Sequence, residues 1–260
     1  METDNLNQLE FFQDSEILEC GYFEGRQDKK IISDIRSIKE KYGKAYDEAI
    51  FFSIMLENGF RRFFTFYYLQ DCPNCHECTP IRIPVKSFAP SKSQRVTWRK
   101  NQDLKVSIRF DNYATEEKAF LYSEYDNYHN KNEKGYEKLS IQQAKFRLYE
   151  MNSNFECTLN MEYRLNGKLI AVGILDYGKN IDGKLNSLSS NYFYYDVSQE
   201  ILDRSVGVFS VLKEIELCKK FGIDYYYLGL YLPNCRKMNY KIKYKPYELL
   251  EDGQWNLYNE

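Results

Sequence analysis

Apolar positions along this chain recur at two periods, and the change from one to the other lays out its elements. Between Lys29 and Lys41, Ile31, Ile32, Ile35 and Ile38 sit at helical spacing in a charged background. Asp47 to Asn58 repeats that period through Ile50, Phe51, Ile54 and Met55, and Gly59 is its stop. Phe63 to Leu69 is aromatic and predicts a strand. Asp71 to Thr79 is a cysteine-bearing turn. Ile81, Ile83 and Val85 then alternate with Arg82 and Pro84, which predicts an edge strand because proline cannot donate to a ladder. The leader up to Cys20 reads as extended or frayed. A basic stretch runs from Pro90 to Lys105, followed by a mostly helical middle from Thr115 to Glu150. Within it Asn127 to Lys134, carrying His129, reads as an exposed polar loop.

The second half is patterned more clearly. Cys157 to Leu165 and Lys168 to Tyr177 flank Asn166-Gly167, the strongest short hairpin signal. Asn191 to Tyr195 predicts a third strand and Tyr225 to Leu232 another. Between them Ser205 to Lys220 is an amphipathic helix: Val208, Val211, Leu212, Ile215 and Cys218 share a face, and Gly222 follows at C′. Hairpin, strand, helix, strand in that order resembles the core of the acetyltransferase-like (GNAT) fold. The expected fold is therefore α+β: a GNAT-like domain over residues 106–260 and a smaller α+β domain over 1–105 that carries the cysteines. Acetyl-CoA enzymes of that fold wrap a pyrophosphate with a glycine-rich loop before the helix, whereas Arg204-Ser205-Val206-Gly207-Val208 offers one glycine. No CoA is expected. No P-loop or Rossmann fingerprint is present either, so no nucleotide cofactor is expected.

Composition narrows the class. In 260 residues, 43% hydrophobic and 28% charged is ordinary globular usage, which argues against disorder. No apolar run is long enough to span a membrane. The first nineteen residues carry six acids and no base, unlike a signal peptide, so a cytoplasmic protein is expected. The net charge is only −2, but ten bases face three acids between Arg61 and Arg109, and Arg236 to Lys245 holds five bases and no acid. Two basic tracts in an acidic chain are candidate polyanion contacts, because phosphate binding follows local positive charge. A solvated lysine-rich face is the plainer reading of either tract alone. The 24 tyrosines suit half-wet clefts and stacking platforms.

Cys72-Pro-Asn-Cys75-His-Glu-Cys78 is the sharpest local motif. Three sulfurs at spacing three converge on a soft ion when the chain curls, and Pro73-Asn74 favours that curl. Cys20, beside Gly21, is the candidate fourth ligand for zinc or an iron–sulfur cluster. A reduced trio that binds nothing, or a labile disulfide, stands as the alternative. Cys157, Cys218 and Cys235 read as core or incidental. With only two histidines, His76 and His129, no hydrolase triad is available.

Three blocks together resemble the aminoacyl-tRNA–protein transferases, which tag N-terminal Asp or Glu, in both their bacterial leucyl and eukaryotic-type arginyl branches. They are Cys20-Gly-Tyr-Phe-Glu-Gly-Arg26-Gln27; Cys72 to Lys86 with Phe88 to Arg95; and Tyr226-Tyr227-Leu228-Gly229-Leu-Tyr231 followed by Cys235-Arg236-Lys237-Met238-Asn-Tyr240-Lys241. Gly25-Arg26-Gln27 and the cysteine-to-Arg95 block look like the leucyl branch. Leu230-Tyr231-Leu232, Asn234-Cys235 and Ser205 to Ser210 look closer to the arginyl branch. That branch carries a second cysteine where this chain has Phe23.

The resemblance implies transfer of an aminoacyl group, leucine favoured over arginine, from aminoacyl-tRNA to proteins beginning with Asp or Glu, marking them for degradation by the N-degron pathway. A transferred ester is already activated, so little acid–base machinery is required. Arg26 and Arg82, with Lys86 and Arg95 behind them, are the candidates for holding the acceptor's acid, because a guanidinium fork suits a carboxylate. Arg95, Arg99, Lys100, Arg236, Lys237 and Lys241 are the candidate tRNA contacts. Tyr194 and Tyr240 could bond the ester and Asp196 could orient the amine. A non-catalytic tRNA-binding protein and a small-molecule N-acetyltransferase are the rivals.

Overall fold

The computed structural model describes residues 11–111, 114–133, 135–153 and 155–259. The first ten residues, half of the expected leader, lie outside them. Two sheets organise the chain. The smaller contains Gln13–Asp14 (β1), Lys30–Asp34 (β4), Arg61–Phe63 (β5) and Phe66–Gln70 (β6) in the order β1-β4-β6-β5. A separate two-stranded ladder, Leu18–Glu19 (β2) with Gln27–Asp28 (β3), brackets the first sequence block.

The expected helix from Lys29 to Lys41 is half strand. Ile31 is buried and Ile32 only partly so, the alternation of β4, which pairs with β6. The helix α1 begins at Ile35 and ends at Tyr42, because the Asp34 side chain accepts from the Arg36 N–H and caps it there. The next helix follows expectation as Glu48–Glu57 (α2), capped by Asp47. The expected strand from Phe63 to Leu69 is instead a hairpin, β5 turning through Phe64 at φ 49° into β6.

The larger sheet has eight strands: Thr79–Pro84 (β7), Lys105–Arg109 (β8), Thr158–Leu165 (β9), Lys168–Lys179 (β10), Leu185–Tyr195 (β11), Tyr225–Tyr231 (β12), Tyr247–Glu251 (β13) and Gln254–Tyr258 (β14). Their order is β14-β13-β7-β12-β11-β10-β9-β8. The strand β7 is interior, not the expected edge. It escapes the proline penalty because β13 pairs only with Ile81 and Arg82, leaving Pro80 and Pro84 outside that ladder. It also enters a sheet otherwise built from residues beyond 104, so the expected division near residue 105 does not separate the hydrogen-bonded layers. The Asn166-Gly167 hairpin forms as read, both residues at positive φ.

Helices cover both faces of this sheet. On one, Lys92–Lys100 (α3) and Val206–Phe221 (α7) bury Trp98, Phe209, Leu212 and Ile215 over Ile170, Ala171 and Leu175. On the other, Glu116–Asn130 (α4) and Ile141–Ser153 (α5) pack Tyr122, Ala144 and Leu148 over Leu169, Val172, Ile174 and Tyr194. A short helix, Gln199–Asp203 (α6), leads into α7. His129 belongs to the last turn of α4, not to a loop, because the helical register continues through Asn130. No helix among the described residues is long and apolar enough to cross a membrane. The fold is mixed α+β.

Candidate active site

The parallel strands β11 and β12 pair only from Ser187 to Ser189 against Tyr225 to Tyr227. Beyond that both strands are irregular. In β11 the register against β10 shifts between Ser190 and Tyr192, and in β12 the register against β7 shifts between Tyr227 and Gly229. The strands therefore splay, and a cavity of about 690 Å³ occupies the opening. Its walls come from Ser190 to Phe193 and Tyr195 on β11, the first turns of α7, Leu228 on β12, Tyr125 and His129 on α4, and Lys237, Met238, Tyr240 and Lys241. Among the described residues no Asp or Glu lines it. Ser205, ahead of α7, is in the left-handed conformation and its side chain does not cap the helix, while its carbonyl accepts from the Val208 N–H at 3.0 Å; Gly207 and Val208 both line the cavity.

Of the residues chosen from sequence, Lys237, Tyr240 and Lys241 line this cavity, Lys237 and Tyr240 exposed at its wall and Lys241 buried in it. Arg236, also exposed, adjoins Lys237 in the loop after β12. Arg95, Arg99 and Lys100 are exposed on α3, whose Lys100 Nζ donates to the Asp203 carbonyl at 2.7 Å just before α7. The two basic tracts adjoin each other: the Gln94 side chain on α3 donates to the Lys243 carbonyl at 3.0 Å.

Other expectations are corrected. Tyr194 is 0% exposed beneath α4, packed against Tyr122, and among the described residues its hydroxyl has no partner. It cannot meet an ester. Asp196 accepts from Lys168 Nζ at 2.6 Å and from the Ser198 N–H, and it borders a different cavity together with Glu117 and Phe120. Arg82 is buried and its fork is spent: Nη1 on Glu57 at 2.6 Å and Nε on Glu248 at 2.6 Å, with the plane sandwiched by Tyr225 and Trp255. A guanidinium so committed joins β7 to α2 and β13; it is not free for a substrate acid. Lys86 is exposed on Asp224, 2.8 Å away, and lines no part of the cavity. Arg26 lies over Phe23 and points at Cys75 Sγ (3.5 Å) and Glu77 (3.6 Å), likewise outside it.

Lys241 is not one of the exposed bases. It is 6% exposed, and Nζ donates to the Leu230 carbonyl at 2.6 Å. Burial, then the Arg61 guanidinium, push it down to about 7.

The cysteines gather near the start of β7. Cys72, Cys75, His76 and Cys78 line a cavity of about 350 Å³, while Cys20 borders a neighbouring one of about 480 Å³. Burial raises the Cys78 thiol to about 11, and Cys72, Cys20 and Cys75 all add to that, so the four sulfurs share one neighbourhood. Four thiols are the donor chemistry of a soft ion. Among the described residues, however, no three His, Cys, Asp or Glu side chains stand at ion-ligating spacing.

Sequence reasoning passed over three groups. His129 sits four residues from Tyr125 on one helical face, a spacing that would have aimed both rings one way. Glu214 is a carboxylate on the apolar face of α7, three residues from Val211 and four from Cys218. It is buried and bonded by Tyr226, and burial raises it to about 7. Arg61 precedes Arg62 in an aromatic strand, and both are buried.

Comparison with known proteins adds the following. Profiles described as arginine-tRNA-protein transferase, N terminus, and arginine-tRNA-protein transferase, C terminus, match residues 18–96 and 117–251. The chain is 36% identical over 201 residues to the aspartate/glutamate leucyltransferase of Acinetobacter baylyi, spanning 77% of this chain and 70% of that protein. It is 30% identical to the protein of the same name from Methylobacillus flagellatus, over 96% and 92% of the two chains. Among solved structures, L-PGS from Bacillus licheniformis is similar at a TM-score of 0.42 and 13% identity, over 69% of this chain and 51% of that one.

Proposed function

This chain belongs to the arginine-tRNA–protein transferase family, and from that membership we propose that it moves leucine from leucyl-tRNA to proteins whose first residue is Asp or Glu. It is an aminoacyltransferase. The observation that carries the choice of leucine is the lining of the splayed-strand cavity. Phe193, Val208, Val211, Leu228 and Met238 offer apolar contact, and among the described residues no carboxylate lines the cavity to pair with a transferred arginine.

In the transfer, the neutral α-amino nitrogen of the acceptor attacks the ester carbonyl carbon. The amide C–N bond forms, the bond to the ribose oxygen breaks, and the proton lost by nitrogen ends on that oxygen. The ester is pre-activated and a free α-amine has a pKa near 8, so positioning can supply about 7–11 kcal/mol of the barrier. In this reading the apolar wall grips the leucine side chain and the Tyr240 hydroxyl bonds the ester. Lys237, Arg236 and the basic face of α3 hold the phosphates of the acceptor stem. Gly207, in the uncapped first turn of α7, lines the same cavity as Lys237 and adds the positive end of the helix. The strand order around the cavity, an antiparallel hairpin and third strand, a helix and a splayed parallel strand, supports an acetyltransferase-like core without a CoA loop. Tagging for degradation, in the cytoplasm where charged tRNA is found, is part of the same proposal.

The test mixes purified protein, tRNA charged with labelled leucine or arginine, and peptides beginning with Asp, Glu or Ala. Leucine on acidic-start peptides only is the expected result; label on none of them from either tRNA overturns the reading. For Cys20, Cys72, Cys75 and Cys78 we propose closure on zinc or an iron–sulfur cluster, supported by the shared neighbourhood of the four sulfurs. Metal analysis of anaerobically purified protein decides it, and substoichiometric metal with freely titrating thiols overturns it.

A further inference from the structure

Two adjacent arginines on β5 have opposite fates. Arg62 is neutralised by Asp176, Nε to Oδ2 at 2.7 Å. Arg61, 6% exposed, meets no carboxylate among the described residues: Nη2 donates to Ser189 Oγ at 3.0 Å and to the Ser190 carbonyl at 3.2 Å, and Nη1 is buried with no acceptor among them. A second buried cation stands beside it. A Cβ placed on Gly229 would lie 3.4 Å from Lys241 Nζ and 3.7 Å from Arg61 Nη2, so both heads converge over that glycine, which is at φ +93° in the irregular stretch of β12. Among the described residues neither cation has an ion-pair partner; Lys241 bonds only the Leu230 carbonyl and, at 3.6 Å, Met238 Sδ.

Two like charges buried together are costly unless an anion joins them. The pair also stands between two cavities. Lys241 and Ser190 line the 690 Å³ cavity, while Leu230, whose carbonyl holds Lys241, and Tyr68, which pairs with Arg61 across β5 and β6, line the 480 Å³ one. A two-substrate transfer needs its acceptor to arrive beside the donor pocket, and Lys241 stands in the wall of the 690 Å³ cavity while its carbonyl partner Leu230 borders the 480 Å³ one.

We propose that Lys241 and Arg61 form the seat for the acceptor's side-chain carboxylate, reached from the cavity bordered by Tyr22, Phe63 and Tyr68. Lys241 makes the direct ion pair. Arg61 supplies the second charge behind it and fixes the strand edge through Ser189 and Ser190. The inference rests on the transferase reading and assigns the selectivity for Asp and Glu to residues other than Arg26, Arg82 and Lys86. The depressed lysine fits: with no anion bound, its charge is held down by burial and by Arg61, and an arriving carboxylate restores it. The same charge could instead attract a tRNA phosphate, which the experiment separates.

The experiment measures transfer from leucyl-tRNA to peptides beginning with Asp, Glu or Asn, using the intact chain, Lys241→Met and Arg61→Lys. Thermal unfolding is followed for each. Wild type must first favour Asp and Glu over Asn; if it transfers to no peptide, the transferase reading fails, not this one. Given that preference, Lys241→Met is expected to raise the KM for the Asp peptide at least about tenfold. The KM for leucyl-tRNA should stay within about twofold, and the Asp-over-Asn preference should collapse. Arg61→Lys, which keeps a positive charge but not the fork, is expected to retain part of the preference. The proposal is overturned if both variants keep the wild-type preference, or if the loss falls on the KM for tRNA, which would make the pair a phosphate contact.

Discussion

Arg62 and Asp176 meet as a forked ion pair with both side chains only 1% exposed, Nε to Oδ2 at 2.7 Å and Nη2 to Oδ1 at 2.8 Å. The pair spans from β5 to β10 and so pins the small sheet to the large one. Thr158 Oγ1 donates to the same carboxylate at 2.6 Å, and the guanidinium also bonds the Phe64 and Met151 carbonyls. Removing one partner strands the other charge in the interior. Asp176→Ala is expected to destabilise the protein by roughly 3–5 kcal/mol, and the double variant Arg62→Met/Asp176→Leu by much less. Chemical denaturation of the three proteins checks this.

Tyr194 offers the reverse case. Its hydroxyl is buried with no partner among the described residues, so Tyr194→Phe removes an unsatisfied polar atom and leaves the packing against Tyr122 intact. Stability is expected to hold or rise by about 1 kcal/mol, with transfer unchanged. A large loss of kcat in a protein that melts normally would return Tyr194 to the reaction centre.

Glu214 sets a pH dependence. Its carboxyl titrates near 4.5 when unfolded and is raised by burial to about 7 in the fold. Its contribution is fully present below pH 4.5 and is lost as pH rises toward about 7, on the order of 3 kcal/mol in all. Glu214→Gln should flatten that fall, while keeping a side-chain oxygen for the Tyr226 hydroxyl. Unfolding free energies measured every half pH unit from 4.5 to 8 read the slope directly.

The exposed bases should behave as phosphate contacts do. Lys237→Ala is expected to weaken tRNA binding for all tRNAs alike and to reduce the slope of log affinity against log salt by about one. Fluorescence titration at several salt concentrations shows it. The apolar wall is tested separately: Val208→Trp fills the donor cavity and should cut leucine transfer at least about tenfold without abolishing tRNA binding.

Much of this was readable in the residues themselves, because some signals are local. The Asn166-Gly167 turn forms because those residues tolerate positive φ, and the α7 stripe with Gly222 forms because helical periodicity and a C′ glycine act within a few residues. Asp47 caps α2 for the same reason. The basic tracts are also local, since charge in sequence stays charge on the surface unless something buries it. What the tertiary structure alone decided is which polar groups are buried, and against what. Arg82 is spent on Glu57 and Glu248, residues 25 positions before and 166 after it, and no spacing rule joins them. Arg61 and Lys241 meet over Gly229 only because two strands splay there, and Ile31 joins a strand only because β6 is there to pair with it. Burial depends on the whole fold, so the chemistry of a lysine or arginine cannot be read until its neighbours are in place.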